Sequence, residues 1–188
     1  MDQLSRGDVL IASPYLTDPN FRRAVVVLCE HGPEGSLGLV VNRPMEVFLG
    51  HVLDPLREGP GGGETVHQGG PVDTGRLLGL RRGRHPDEPS EDVGGDLHLL
   101  TDLEHSLELI SAGAVPPADY RFYLGYAGWG KGQLVQEVNQ SAWIVSPENA
   151  SADLAFEVPP GDAWSKVLGT LGGQNAWFAQ MPVDPELN

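Results

Sequence analysis

The chain has 188 residues, 40% of them hydrophobic and 20% charged, which suffices for one domain with a sizeable core but not for two large ones. Twelve Lys and Arg stand against 26 Asp and Glu, so the formal net charge is −14. Because nonspecific nucleic-acid affinity comes mainly from cations at phosphates, this balance disfavours direct DNA binding.

The first half of the sequence predicts short strands separated by turns. The strand candidates are rich in β-branched residues: Asp8–Ala12, Ala24–Cys29 and Leu37–Val41. The last two do not alternate apolar with polar residues, which indicates burial on both faces. Met45–Leu53 follows with the apolar spacing of a helix. Gly83–Gly95 predicts a solvated loop, in which carboxylates of residues 87–92 offset the arginines of residues 76–84.

Membrane and secretory segments are not indicated. The longest apolar run, Ala24–Cys29, is far shorter than the ~20 residues of a membrane span. The N-terminus lacks a basic region followed by an apolar one. The single cysteine, Cys29, has no partner for an intramolecular disulfide, so we expect a buried thiol in a cytoplasmic protein.

The second half predicts two amphipathic helices with a strand candidate, Ala142–Val145, between them. Thr101 and Glu104 form a capping box before a helix from about residue 102 to 112. Asp162–Leu171 has one apolar face and is followed by two glycines. Residues 173–188 lack periodicity, which predicts a mobile tail of the single domain 1–188. The irregular alternation of strands and helices favours an α+β fold with a mixed sheet.

A glycine-rich segment, Gly125–Gly132, resembles a phosphate-binding loop up to its last position. A glycine stands where Ser or Thr would bind magnesium, and Tyr126 and Trp129 place two large rings inside the segment. These features disfavour a nucleotide and imply no cofactor. They predict instead a rigid aromatic corner, with Gln133 and Glu137 fixing loop amides by hydrogen bonds.

The six histidines do not show the spacing of metal ligands. His98 and His105 are seven positions apart across a predicted strand–helix junction, and neither H-x-x-x-H nor C-x-x-C occurs. We therefore expect no metal site.

A serine hydrolase is the enzymatic alternative. Ser13, Asp18 and His31 lie near one another in sequence, and Ser36 follows. The chain lacks a G-x-S-x-G elbow, however, and residues of these types often coincide. A serine-directed fluorophosphonate tests this alternative.

Two short motifs follow predicted strands, where binding residues often lie on a rigid frame. They are Asn42-Arg43-Pro44 and Gly69-Gly70-Pro71-Val72. The alternative role of both is turn chemistry, since Pro presets φ, Gly permits positive φ and Asn closes turns. Arg43 is consistent with either a buried ion pair or an anion contact.

Several segments match one family in chain order: Leu10–Pro14 with Asp18 and Phe21, Val25–Leu28 with Glu30 and His31, Gly38–Pro44, Gly69–Val72, and Gly125–Trp129 with Gln133, Leu134, Glu137 and Trp143. Together they resemble the AlgH/YqgE family of bacterial cytosolic proteins over nearly the whole chain. The block Gly-Tyr-Ala-Gly-Trp is far more specific than a glycine pattern alone, and Lys131 does not belong to the family pattern.

The resemblance implies an α+β fold: a mixed, bifurcated β-sheet with a small barrel-like part surrounded by helices. The family carries a transcriptional-regulator label without a recognisable DNA-binding motif. We therefore expect a non-enzymatic binding or regulatory protein that acts on a protein or small-molecule partner. The candidate binding residues are those of the motifs: Asn42, Arg43, Pro44, Gly69, Gly70, Pro71, Gly125, Tyr126, Gly128, Trp129, Gln133 and Glu137.

Overall fold

A computed structural model describes residues 4–181, and a ten-stranded sheet forms its centre. The strands are β1 (Val9–Ala12), β2 (Val25–Gly32), β3 (Gly35–Val40), β4 (Pro44–Phe48), β5 (Thr65–Gln68), β6 (Val72–Arg82), β7 (Ser90–Gly94), β8 (Leu97–Leu100), β9 (Tyr120–Gly130) and β10 (Trp143–Val145). The helices are α1 (Leu49–Val52), α2 (Leu103–Ser111), α3 (Gln133–Asn139), α4 (Ala152–Phe156), α5 (Pro160–Thr170) and α6 (Gly173–Phe178), with 3-10 turns at Asp54–Leu56 and Pro117–Asp119. The predicted α+β class is confirmed.

The strands follow the order β10-β1-β2-β3-β9-β6-β8-β7, and neighbours on this path are antiparallel. A side branch of β4 and β5 joins β9, and β5 pairs with β9 in parallel. Within the described residues the sheet is open, with β10 and β7 as its outer strands.

The sheet divides at β9. Residues 122–124 of β9 pair with residues 66–68 of β5, whereas residues 127–130 pair with residues 35–38 of β3. The opposite edge of β9 pairs with β6 along most of its length. The sheet is therefore both mixed and bifurcated, as the family resemblance implied.

The first five residues of strand β2, residues 25–29, are buried on both faces, as the continuous apolar run predicted. Val25, Val27 and Cys29 pack in a core with helices α4 and α5. Val26 and Leu28 face a second core that contains Trp129 and Trp143. Burial raises the pKa of the Cys29 thiol to about 12, so the thiol is protonated at neutral pH.

Three elements differ from their predictions. Met45–Leu53 is not one helix, because β4 pairs with β5 through Phe48 and only the single turn α1 follows. The segment Gly83–Gly95 contains strand β7, and its charges are not all solvated. Residues 173–178 form α6 although their sequence lacks periodicity, and residues 182–188 lie outside the described part of the chain, so the mobility of the tail stays a prediction.

Helix α2 begins where the capping signal predicted, but its N-cap is Asp102 rather than Thr101. The Asp102 carboxylate accepts a hydrogen bond from the His105 amide at 3.1 Å. A carboxylate also interacts more favourably than a hydroxyl with the helix dipole. Among the described helices, none combines the length and apolar character needed to cross a membrane.

Arg81 and Glu88 form a buried ion pair rather than part of a solvated loop. The Arg81 Nε lies 2.9 Å from the Glu88 carboxylate, and the Tyr120 hydroxyl donates to that carboxylate at 3.1 Å. Burial raises the pKa of Tyr120 to about 12, which keeps its hydroxyl protonated as a donor. The charges of residues 76–92 thus offset one another in part inside the protein.

Candidate functional site

The motif glycines lie where the sheet divides, and their missing side chains allow three strands to meet. The Gly69 amide donates to the Leu124 carbonyl of β9, and the Gly69 carbonyl accepts from the Val40 amide, both at 2.9 Å. A Cβ atom at Gly69 would overlap the Gly125 carbonyl oxygen, and one at Gly70 would overlap the Tyr126 backbone. We call this glycine junction, formed by Gly69, Gly70 and Gly125, the sheet fork.

Gly125 turns β9 at the sheet fork. Its φ of +70° is a left-handed conformation that residues with a Cβ rarely adopt. A Cβ there would also lie 2.5 Å from the Gly70 carbonyl oxygen and 2.9 Å from that of Val72. The expected aromatic corner is therefore a turned strand and not a loop, since residues 120–130 all belong to β9.

Glu137 binds two tryptophan rings to helix α3. The indole Nε1 of Trp129 and that of Trp143 each donate to Glu137 Oε2 at 2.9 Å. Gln133 Nε2 donates to Glu137 Oε1 at 2.8 Å, and Gln133 Oε1 accepts from the Gly130 amide at 3.0 Å. Gln133 thus fixes a backbone amide as predicted, whereas Glu137 accepts from indoles instead of loop amides. We call this arrangement the indole clamp.

Phe21 connects the indole clamp to the exposed loop of residues 18–23. Its ring stacks near Trp129, with centroids 6.5 Å apart, and meets Trp143 edge to face at 5.3 Å. The two tryptophans themselves meet at 5.8 Å, nearly perpendicular. Such geometries are favourable for aromatic pairs, so the loop is fixed from its inner side.

Asn42 and Arg43 hold the same loop by its backbone. The Asn42 side chain accepts from the Val25 amide and donates to the Arg23 carbonyl, both at 2.9 Å. The Arg43 guanidinium donates to the carbonyls of Pro19 at 3.2 Å and of Arg22 at 2.7 Å. Neither an ion pair nor an anion is thus required to explain Arg43.

We expect Arg43→Ala to destabilise the protein by about 1–2 kcal/mol, because two carbonyls lose a charged donor. The Arg43 side chain is half-buried, and burial lowers its pKa from the usual value. Hydrogen exchange should become faster in residues 18–23 and not in β6. A neutral effect on both stability and exchange would contradict this role and favour an anion contact.

The predicted site residues converge but use most of their side chains internally. The Arg43 carbonyl accepts from the Gln68 amide at 2.8 Å, which places the first motif beside the second. Trp129 is only 6% exposed, and Tyr126 is half-buried with its ring over Gly128. The two prolines are exposed at strand starts: Pro44 begins β4, and Pro71 precedes β6. Whether these residues also bind a partner stays a prediction.

An exposed group of aromatic rings lies beside this region and was missed in the sequence. Tyr15 is 76% exposed and Trp177 is 62% exposed. Phe178 joins them, with ring centroids 5.4 Å from Tyr15 and 5.2 Å from Trp177. We call these three rings the aromatic patch. Tyr15 and Trp177 come from opposite ends of the chain, so no local motif could have indicated the patch.

Contacts of Arg23 hold the segment that carries the patch. The Arg23 guanidinium lies 4.7 Å from the centre of the Trp164 ring and donates to the Met181 carbonyl at 2.6 Å. Trp164 in turn donates its indole N–H to the Ala12 carbonyl at 2.8 Å. The segment around α6 is therefore tied to the sheet through Arg23 and Trp164.

The residues of the predicted serine triad do not all meet. Ser13 follows the last residue of β1, next to the start of the antiparallel β2, whereas His31 lies near the other end of β2. The length of this strand therefore separates the two side chains. His31 instead pairs across the hairpin with Ser36, and its Nδ1 lies 2.7 Å from the Ser36 hydroxyl. Ser36 is therefore the serine that an enzymatic interpretation requires.

A cleft of about 230 Å³ lies between the segment after β10 and helices α4 and α5. Its apolar walls include Val9 and Val167, and its polar residues include Ser146, Ser151 and Lys166. Ser151 Oγ caps α4 and Ser146 Oγ accepts from the Glu148 amide, so both hydroxyls already have protein partners. None of the predicted site residues lines this cleft.

Metal binding gains no support from residues 4–181, where no three potential ligands among His, Cys, Asp and Glu are clustered. One histidine is nonetheless unusual. His67 on β5 is only 5% exposed, and desolvation lowers its pKa to about 4, with the nearby Arg121 charge contributing in the same direction. His67 is therefore neutral at physiological pH.

This histidine makes stability depend on pH. Between the pKa of about 4 in the folded protein and about 6.5 in the unfolded chain, the unfolded state binds more protons, so stability falls as pH falls through this window. We expect His67 to contribute a loss of about 2 kcal/mol between pH 7 and pH 5. Urea unfolding of the wild type and of His67→Phe measures it. Equal pH slopes in the two proteins would contradict the assignment.

Comparison with known proteins identifies the family. The AlgH-like family model matches residues 9–176. A UPF0301 protein of Streptomyces coelicolor is 40% identical over 190 residues, covering 97% of this chain and 94% of the relative. A UPF0301 protein of Cytophaga hutchinsonii is 36% identical over 186 residues, covering 98% of this chain and 100% of the relative.

Two solved structures have the same fold as this chain. The solution structure of the AlgH protein from Pseudomonas aeruginosa matches with a TM-score of 0.73 and 31% identity, covering 97% of this chain and 98% of that one. A crystal structure of a Corynebacterium diphtheriae protein matches with a TM-score of 0.78 at 18% identity, covering 96% and 94% of the two chains, which shows the fold alone. The chain that carries the sheet fork and the indole clamp therefore belongs to the AlgH-like family.

Proposed function

We propose that the protein is a non-enzymatic cytoplasmic binding protein that contacts a protein partner through the aromatic patch. The observation that carries this proposal is that two exposed rings, Tyr15 and Trp177, both contact the ring of Phe178. Exposed contiguous apolar surface in a folded protein commonly marks an interaction site. Tyrosine and tryptophan are also the residue types enriched at the centres of protein interfaces.

The surroundings of the patch support a preformed surface. The loop of residues 18–23 follows Tyr15 closely and is fixed by Asn42, Arg43 and the ring of Phe21. A surface that is rigid before binding loses little conformational entropy in the complex. The motif residues would then act indirectly, by holding the loop and the rings in place.

The charge of the chain selects the partner. With a net charge of −14, the protein attracts cationic molecules and repels acidic ones at long range. We therefore propose a basic protein that inserts an apolar side chain among the exposed rings. Its association rate should fall as salt is raised, since the steering is electrostatic.

The proposal is tested by capture from the native host followed by titration of the purified partner. The variants are Trp177→Ala and Tyr15→Ala, with Val135→Ala as the control because Val135 is an exposed apolar residue outside the patch. We expect a basic partner that Val135→Ala retains and that Trp177→Ala binds at least roughly tenfold more weakly. The proposal would be contradicted by a partner that the wild type and all three variants bind equally well, or by a partner that is acidic.

A serine-type hydrolase is a second candidate, because the His31 ring is within hydrogen-bond distance of the Ser36 hydroxyl at 2.7 Å. An imidazole so placed can take the proton of an attacking serine. A fluorophosphonate probe should then label the wild type and not Ser36→Ala, while Ser13→Ala remains labelled. Unlabelled wild-type protein would eliminate this candidate and leave the binding proposal unaffected.

A further inference from the structure

Three buried polar atoms on β5 and β9 lack hydrogen-bond partners. They are His67 Nδ1, the Tyr123 hydroxyl oxygen and Arg121 Nε. A buried polar atom without a partner is costly, so native proteins rarely leave several together. A group that binds all three atoms would account for them.

The three side chains lie on one face of the sheet. His67 and Tyr123 are directly opposite each other in the parallel ladder between β5 and β9, and their ring centroids are 5.5 Å apart. Arg121 is two residues before Tyr123 on the same strand and therefore points to the same side. Tyr123 is fully buried and Arg121 is half-buried, so the Arg121 end is the more accessible one.

Arg121 places a positive charge beside His67 and Tyr123, and this charge has no carboxylate partner in the described residues. Its Nη2 donates to the Phe156 carbonyl at 3.2 Å, and the guanidinium lies 5.2 Å from the centre of the Phe156 ring. Its neighbour Arg82 on β6 contacts the same ring and also has an Nε without a partner, but its charge is paired with Glu157 at 2.5 Å.

We propose that His67, Arg121 and Tyr123 form a binding site for an oxyanion group, either a phosphate or a carboxylate, of a small molecule. Guanidinium groups bind such oxygens in planar, directional hydrogen bonds, and the Arg121 Nε–H has no other acceptor. The Tyr123 hydroxyl supplies a second donor. His67 Nδ1 supplies a third polar contact, whose direction depends on the tautomer. This site is independent of the aromatic patch.

Thermal unfolding at constant ionic strength tests the site, with inorganic phosphate or acetate replacing chloride. The proteins are the wild type, Arg121→Gln, Tyr123→Phe and, as a control, Arg6→Gln, which removes a surface arginine paired with Glu91. At about tenfold excess of an anion over its Kd, we expect the wild-type and control Tm to rise by roughly 3 °C or more. Arg121→Gln should lose this shift, and Tyr123→Phe should reduce it.

A second measurement does not depend on the folding of any variant. Adding phosphate or acetate to the wild type should move the NMR signals of the His67 imidazole, while chloride at equal ionic strength should not. Phosphate without acetate as the active anion would assign a phosphate ligand, and the reverse a carboxylate ligand. Two results would each overturn the proposal: no anion-specific change at His67, or an equal Tm shift in Arg121→Gln. Either result would mean that internal water satisfies the three atoms.

Discussion

Replacing Gly125 with alanine is expected to destabilise the protein by at least about 4 kcal/mol, because two independent costs combine at this position. The φ of +70° is unfavourable by about 1–2 kcal/mol for a residue with a Cβ. The added methyl would also meet the Gly70 carbonyl oxygen at 2.5 Å. That oxygen belongs to backbone held by the ladders of the sheet fork, so it cannot move without breaking them. Soluble yield and urea unfolding measure the effect.

The matched control is Gly63→Ala. No heavy atom lies within 4 Å of the position that its Cβ would take, and its φ is not in the left-handed region. We expect a change within about 0.5 kcal/mol for this variant. If Gly125→Ala were as stable as Gly63→Ala, the turn of β9 would not depend on glycine, and the role assigned to the sheet fork would be wrong.

Glu137→Ala is expected to lower the free energy of unfolding by about 3–4 kcal/mol, since one carboxylate accepts from three side chains. The two indole N–H groups would lose their acceptor while Trp143 and Trp129 remain only 2% and 6% exposed. Hydrogen bonds to a charged acceptor are also stronger than those to a neutral one. Urea unfolding, followed by tryptophan fluorescence, reports both the stability and the environment of these rings.

Two further variants test whether the loss of stability comes from the Glu137 carboxylate itself. Gln136→Ala is the control, because Gln136 is an exposed residue of the same helix and should change stability by less than about 0.5 kcal/mol. Glu137→Gln keeps one acceptor oxygen for the indoles but turns an amide N–H₂ towards Gln133, so an intermediate loss is expected. A Glu137→Ala protein as stable as the control would show that water replaces the carboxylate.

Those parts of the fold that depend on local pattern could be predicted from the sequence. Residues 25–29 are all apolar because this part of β2 is buried on both faces, and such a run identifies a strand without knowledge of its partners. Helix α2 was recognisable from its capping residues and apolar spacing. The family motifs also identified the residues of the sheet fork and the indole clamp.

The conformation of the glycine segment could not be predicted in the same way. Gly125 is in a strand because Gly69, Gly70 and Val72 lie against it, and these residues are more than fifty positions earlier. Read by itself, the segment has the composition of a loop. Glu137 was recognised as a hydrogen-bonding residue, but its two indole partners, Trp129 on β9 and Trp143 on β10, depend on tertiary packing.

Neither proposed binding region has a local signal. Tyr15 and Trp177 become neighbours through Phe178 on the short helix α6, in a segment whose sequence lacks periodicity. His67 and Arg121 are ordinary polar residues in sequence. Their significance comes from one buried nitrogen of each side chain that lacks a hydrogen-bond partner, His67 Nδ1 and Arg121 Nε, which only the paired arrangement of β5 and β9 reveals.

Strand β9 also has a consequence for the order in which the protein can fold. Without it, the sheet falls into three separate groups: β10-β1-β2-β3, β4-β5 and β6-β8-β7. None of these groups pairs directly with another, so they cannot join into one sheet until residues 120–130 have been synthesised. During translation, β3, β5 and β6 therefore carry unpaired edges, which are templates for aggregation. The long sequence separations that β9 spans also predict slow folding compared with a helical protein of this length.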